Sequence, residues 1–127
     1  MALVIGKYDE DKQKEGVWVK YDESDLLIAS AQSTKFSKLL NRLQMKNERA
    51  IKKDPSVANK VYIEAMAEAM LLDWKNVVDV EGNEVPYTVE MSVAALTGDP
   101  DLREFVTNTA VDNELYTKEL VKAKAKK

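Results

Sequence analysis

The fold is decided by one stretch of the sequence, residues 54–73, which reads DPSVANKVYIEAMAEAMLLD. Asp54 is a favoured helix N-cap residue, and Pro55 fits the first helical position, where its missing N–H costs no hydrogen bond. Polar residues recur there at every fourth position and form one narrow stripe, namely Lys60, Glu64 and Glu68. A helix that is apolar around most of its circumference must be covered on several sides. The stretch therefore predicts a helix that ends near Trp74 and is either the centre of a small helical domain or part of a subunit interface.

The composition is that of a globular protein. The chain has 127 residues, which suits one domain with a real hydrophobic core but not two. Its apolar and charged fractions, 45% and 32%, are those of a folded rather than a disordered chain. No apolar run reaches the roughly 18 residues of a membrane span, and residues 1–5 are too short for the apolar region of a signal peptide. We therefore expect no membrane role.

The chain contains no His and no Cys. It therefore lacks the usual general base at neutral pH, the commonest transition-metal ligand and any thiolate nucleophile, and the absence of Cys fits a reducing cytoplasm. The carboxylates around Gly82 do not match a calcium loop, because Gly82 stands fourth from Asp79 and such a loop needs Gly at its sixth position. No enclosed carboxylate pair is evident. We predict a protein that is not an enzyme and has no metal site or cofactor.

Two short runs rich in apolar and β-branched residues, 17–21 and 26–29, surround a polar turn and predict a β-hairpin. Residues 26–31 fit the start of a helix equally well. The mixed-charge run 9–15 has no apolar anchor, so we expect a solvated loop there and a mobile N-terminal segment over residues 1–15.

A second amphipathic helix follows the hairpin, with Ser33 or Thr34 as its N-cap and an end near Lys52. Its solvent side carries seven cations against the single Glu48: Lys35, Lys38, Arg42, Lys46, Arg49, Lys52 and Lys53. We name the first five of these the basic face. It is interpreted foremost as a solvated helix surface; contact with a protein and contact with nucleic acid are the alternatives. The second half of the chain is acidic, so complementary halves suggest head-to-tail association of copies or pairing within one chain.

The remaining chain predicts short helices joined by defined turns. Residues 76–88 predict a structured loop or miniature hairpin around Gly82, and Thr88 can cap a helix over residues 89–96. Asp99-Pro100 opens another helix to Ala110, and a last helix from about Asp112 runs into a Lys-rich tail, residues 122–127. The fold class is therefore mainly α, a small bundle of about five helices with a short N-terminal β-hairpin.

Several blocks in order carry a family resemblance. Residues 74–87 read Trp-x-Asn-Val-x-Asp-x-x-Gly-x-x-x-Pro-Tyr, and residues 99–106 read Asp-Pro-Asp-Leu-x-x-Phe-Val after a short helix. Val-Trp-Val-Lys-Tyr at 17–21, Leu-Leu-Ile-Ala at 26–29 and Lys-Phe-x-x-Leu-Leu at 35–40 precede them. Over residues 16–121, one domain in this interpretation, the order and spacing of these blocks resemble the tail assembly chaperones of long-tailed bacteriophages.

The resemblance implies a function and partners. Proteins of that family coat the long, helical, aggregation-prone tape measure protein in the cytoplasm of the infected bacterium and are absent from the finished virion. The resemblance further implies self-association into higher oligomers and, in many members, a longer form made by ribosomal frameshifting. From another class, a small nucleic-acid-binding regulator that uses the helix over 35–53 is the alternative, with nucleic acid the less favoured partner. A head–tail connector component of the virion is a third.

Two groups of residues follow from this interpretation. Those expected to meet a partner are Val85, Pro86, Tyr87, Met66 and Met70, because Met adapts to varied apolar surfaces and the first three lie beyond the Gly82 turn. Trp74 and Gly82 are expected to anchor the loop, with Trp74 largely buried because it directly ends the apolar helix. A loop that only seals the end of the core is the competing interpretation.

Overall fold

A computed structural model describes residues 2–118 of the chain. Within these residues it has six α-helices, one three-stranded antiparallel sheet and one short 3-10 helix. The elements follow one another as α1 (Glu10–Glu15), β1 (Val17–Tyr21), β2 (Ser24–Ile28), α2 (Thr34–Lys46), α3 (Glu48–Lys53), α4 (Ser56–Ala69), β3 (Leu71–Lys75), α5 (Val89–Gly98), α6 (Pro100–Ala110) and the 3-10 helix (Asn113–Tyr116). The predicted fold class, mainly α with an N-terminal β-hairpin, is confirmed.

The predicted hairpin forms and gains a third strand. β1 pairs antiparallel with β2, and β3 pairs antiparallel with the other edge of β2, from Asp25 opposite Lys75 to Ile28 opposite Leu71. A lone two-stranded hairpin is marginally stable in water, and the third strand together with the helices provides the burial that it lacks. Leu26 and Ile28 of β2 are almost fully buried against the helices.

α4 is the central helix, but it is shorter than predicted. It ends at Ala69, and residues 71–75, expected to continue the helix to about Trp74, form β3 instead. The spacing of this short apolar run fits either a helix or a strand, and pairing with β2 decides between them. The second half of α4 is covered on several sides, as predicted, because α4 contacts both α2 and α5.

The hydrophobic core lies between the sheet and helices α2, α4, α5 and α6. Its buried members include Leu26, Ile28, Phe36, Leu39, Leu43, Val61, Ala65, Met66, Ala69, Met70, Leu71, Trp74, Leu96, Leu102, Val106 and Ala110.

The predicted basic helix is divided into α2 and α3 at Asn47. Its N-terminus is as expected, since the Ser33 hydroxyl accepts a hydrogen bond from the Phe36 N–H at 3.1 Å. At the break, both the backbone N–H and the side-chain amide of Asn47 donate to the Leu43 carbonyl, at 3.1 and 2.8 Å. An Asn side chain that bonds to a nearby backbone carbonyl in this way competes with regular helix geometry.

Residues 10–15 form helix α1, so the solvated loop predicted for residues 9–15 is wrong. Asp9 is the N-cap of α1 and accepts hydrogen bonds from two backbone N–H groups, while Gly16 ends the helix at φ +89°. The segment is attached to the domain, because the Asp9 N–H donates to the Tyr116 carbonyl at 2.7 Å and the Ser30 N–H to the Gln13 carbonyl at 2.9 Å. The helix is favoured locally by its two caps, which do not depend on an apolar anchor.

The C-terminal helices begin where the caps predict. Thr88 caps α5 by accepting from the Met91 N–H at 3.0 Å, and Asp99 caps α6 by accepting from the Leu102 N–H at 3.1 Å. The helix predicted from about Asp112 is only a 3-10 turn within the described residues; its continuation over residues 119–121 and the Lys-rich tail lie outside them.

Candidate functional site

Trp74 anchors the start of the loop between β3 and α5. It is only 7% exposed, its indole N–H donates to the Val85 carbonyl at 2.8 Å, and its ring meets that of Tyr87 edge-on with 5.0 Å between centroids. Such edge-to-face aromatic pairs are favourable beyond the area they bury. The indole therefore fixes the return of the loop towards the core.

Tyr87 belongs to this closure and not to an exposed docking surface. Its hydroxyl donates to the Leu71 carbonyl at 2.7 Å and lies 3.0 Å from the Ala67 carbonyl at the end of α4. Burial raises the pKa of Tyr87 above its usual value. Val85 is likewise partly buried against the core, which leaves only Pro86 of the three fully on the surface. The expectation that this trio is exposed for a partner is corrected accordingly.

Met66 and Met70 are also not available on the surface. They are 1% and 0% exposed and lie inside the hydrophobic core. The prediction that they present apolar surface to a partner is therefore wrong. The reason is non-local: α2, β3 and α5 surround the second half of α4, and no sequence pattern in α4 shows which neighbours cover it.

A shallow groove of about 610 Å³ between α4 and α5 presents the apolar surface that was expected elsewhere. Ile63 of α4 lies in it beside Val89 and Val93 of α5. Four charged side chains and one hydroxyl border these three: Lys60, Glu64, Glu68, Glu90 and Thr97. Because Ile63 and Val93 also pack against the core, the fold holds the apolar part of the groove in place.

This α4–α5 groove suits an amphipathic helix. Such a partner lays its apolar face into a hydrophobic groove through residues spaced three and four apart. Three carboxylates against one ammonium group at the border favour a helix whose apolar stripe is flanked by Lys or Arg. Sequence reasoning missed the groove, although its signals were present: Val89 and Val93 stand four apart on α5, and Glu64 and Glu68 four apart on α4. Nothing in the sequence places these two faces side by side.

The basic face lies on the surface as predicted, with all five of its side chains exposed. Ion pairs within the described residues join Lys20 to Asp25 at 3.1 Å and Lys52 to Glu48 at 3.4 Å, and neither involves the basic face. Met45, which is 77% exposed, lies among these cations on α2. The face thus combines free positive charge with one prominent apolar side chain.

The loop between β3 and α5 makes a tight turn around Gly82 at its middle. Gly82 has a φ of +87°, a backbone conformation that favours glycine. The Asp79 carboxylate accepts from the N–H groups of Glu81 and Asn83, both at 2.9 Å, so its oxygen is part of the turn. Val78 and Val80 are 54% and 104% exposed. We call residues 78–84 the acidic tip, since it carries Asp79, Glu81 and Glu84.

Two further findings concern the described part of the chain. No helix there is long and apolar enough to cross a membrane. Residues 2–118 also contain no group of three or more acidic side chains placed to hold a metal ion.

Comparison with known proteins identifies one family. Comparison with curated proteins and with solved structures yields no significant match. The family model described as YdaY prophage protein matches residues 28–127, which is most of the chain; the match begins at the last residue of β2 and includes β3 and helices α2 to α6. The protein is therefore phage-derived, and the chain belongs to the YdaY prophage protein family.

Proposed function

We propose that this protein is a phage tail assembly chaperone that binds the tape measure protein and keeps it soluble while the tail is built. It acts without catalysis in the cytoplasm of the host bacterium and is released before the virion is complete. The α4–α5 groove is the observation that carries this proposal, together with the prophage family and the resemblance described above.

The groove has the chemistry that such a partner needs. A long helical protein that aggregates does so through apolar stripes that its assembly partner has not yet covered. Ile63, Val89 and Val93 offer a matching apolar surface, and the carboxylates beside them exclude stripes that lack basic neighbours. Because the fold holds this surface in place, little ordering cost opposes binding.

Self-association belongs to the same proposal. A chaperone that covers a very long protein needs many copies, and contacts between neighbouring copies let binding at one place favour binding at the next. The partners in this proposal are therefore the tape measure protein, further copies of the chain and a longer frameshifted form of it, with no membrane involved.

The proposal is tested by co-expression with the tape measure protein of the same prophage. Reversing two exposed groove carboxylates, Glu64→Lys with Glu90→Lys, is expected to weaken binding about tenfold or more and to shift the tape measure protein into the pellet. The matched control reverses Glu104 and Glu114, which are exposed outside the groove and change the net charge equally. Circular dichroism checks that both variants fold. Equal solubility of the tape measure protein with both variants would contradict the groove's role.

The head–tail connector alternative makes the opposite prediction about the virion. A connector remains in the finished particle, whereas a chaperone leaves it. Mass spectrometry of purified particles is therefore expected to show the tail tube and tape measure proteins without this chain. Stoichiometric amounts of the chain in those particles would favour the connector.

A further inference from the structure

We infer that copies of this protein associate head to tail, with the acidic tip of one copy docked on the basic face of the next. The inference rests on the self-association in the proposed function and assigns surfaces to it. The basic face adjoins the α4–α5 groove, since Lys38 and Arg42 line a surface pocket together with Glu68 and Val89. The failure of either contact can still be distinguished, because one is read out by the solubility of the tape measure protein and the other by the size of assemblies of this chain alone.

The acidic tip is built as a fixed element. The Asp79 N–H donates to the Asn83 carbonyl at 2.9 Å, and the Gly82 N–H donates to the Asp79 carbonyl at 3.0 Å. Val78 and Glu84 pair in an isolated antiparallel β-bridge. Its base is braced on the β1–β2 turn, since the Asn76 side chain donates to the Glu23 carbonyl at 2.8 Å. A rigid loop with a fully exposed Val needs little ordering when it docks.

The basic face is the complementary surface. The three carboxylates of the acidic tip would meet the cations of the basic face, of which Lys38 and Arg42 are one helical turn apart. Met45 lies one turn beyond Arg42 and two turns beyond Lys38 on the same side of α2, and it is 77% exposed, so it offers Val80 an adaptable apolar contact. Both surfaces therefore place an apolar side chain among charges, and the charges have opposite signs.

The chain directions at the sheet favour a contact between copies over a contact within one copy. β2 and β3 are antiparallel, with Asp25 opposite Lys75 at one end and Ile28 opposite Leu71 at the other. The acidic tip follows Lys75, whereas α2 follows Ile28, so the two surfaces leave the sheet at opposite ends, roughly 15 Å apart. Different patches on the two partners make a heterologous contact, which repeats into rings or open filaments.

The test uses two charge-reversed variants of the whole chain. The tip variant is Glu81→Lys with Glu84→Lys, and the face variant is Lys38→Glu with Arg42→Glu; all four positions are exposed. Light scattering at tens of micromolar is expected to show wild-type assemblies larger than a dimer and each variant as a monomer. In an equal mixture, the positive tip of one variant meets the negative face of the other, and the remaining tip and face are both wild type. The mixture is therefore expected to recover assemblies larger than a dimer in which the two variants alternate.

A variant that carries all four reversals is the matched control. Its net charge equals that of the wild type and its two surfaces are complementary again, so it is expected to assemble with itself. A Val80→Ser change should weaken assembly about tenfold through loss of apolar contact.

Three results would overturn the inference. The single-surface variants could assemble like the wild type, which would leave self-association standing on other surfaces. The four-reversal variant could stay monomeric while folded. The wild type could be monomeric, with the basic face binding a DNA duplex in a salt-dependent way that the face variant abolishes.

Discussion

At the scale of single residues, aromatic side chains hold the ends of the chain's elements together. Trp74 and Tyr87 join the end of α4, β3 and the loop to α5 through three side-chain hydrogen-bond contacts and an edge-to-face ring pair. Tyr116 does the same for the C-terminal turn, because its buried hydroxyl donates to the Ile28 carbonyl at 2.9 Å. These residues give two predictions about stability.

The first prediction concerns the closure around Trp74. Trp74→Ala is expected to lower the free energy of unfolding by about 3–5 kcal/mol, as truncation of a large core residue does. Tyr87→Phe should cost about 1–2 kcal/mol, because it leaves carbonyls at the end of α4 without their donor. Tyr62→Phe is the control, since the Tyr62 hydroxyl has no hydrogen bond within the described residues and the residue is 36% exposed. Urea denaturation measures all three, and equal effects of Tyr87→Phe and Tyr62→Phe would contradict the assignment.

The second prediction concerns alkaline pH. Burial, with a contribution from Asp112, raises the pKa of Tyr116 to about 12. The unfolded state, with a phenol pKa of about 10, then ionises first as the pH rises. The stabilising effect is complete below pH 10 and is lost between about pH 10 and 12, an amount of roughly 2–3 kcal/mol.

Thermal unfolding as a function of pH measures this loss. Tyr116→Phe is expected to be less stable than the wild type at pH 8 because its hydrogen bond is missing, but its stability should fall less steeply above pH 10. Parallel pH profiles of the two proteins would contradict the role of Tyr116.

At the scale of elements, the ends of helices followed from local chemistry and the sheet did not. Ser33, Thr88 and Asp99 cap their helices as expected, because a cap needs only the next turn of backbone. β3 was missed because its strand geometry depends on β2, more than forty residues earlier in the chain. The burial of Met66 and the groove beside Val89 likewise arise from neighbours that are distant in sequence.

The third prediction compares glycines at element ends. Gly16 and Gly82 both have positive φ, but only at Gly16 would a Cβ crowd other atoms, at 3.1 Å from the backbone of Ile28. Gly82→Ala is therefore expected to cost about 1 kcal/mol and Gly16→Ala clearly more. Gly98→Ala should be neutral or stabilising, since the site is open and ends α5. Thermal denaturation ranks the variants, and Gly16→Ala as stable as Gly82→Ala would contradict the close approach of α1 to β2.

At the scale of the whole molecule, surfaces with three different characters lie on one small fold. The acidic tip and the basic face attract each other, whereas the α4–α5 groove combines apolar side chains with carboxylates. Sequence alone identified the basic face and the existence of the loop, because exposure of charged residues follows from amphipathic spacing. It could not identify the groove, which exists only once α5 lies beside α4. A protein that coats a long helical partner needs one surface that binds the partner helix and two surfaces that bind neighbouring copies of itself.

The central claim is that the tape measure protein occupies the α4–α5 groove, and site-specific crosslinking tests it most directly. A photoreactive amino acid replaces Val89 in the groove or, as control, Val111, which is 52% exposed and not part of the groove lining. The cells produce all the tail proteins of the prophage, and mass spectrometry identifies the crosslinked chains. We expect the tape measure protein to be captured from position 89 and not from position 111. Capture of the tape measure protein equally from both positions, or from neither, would contradict the claim.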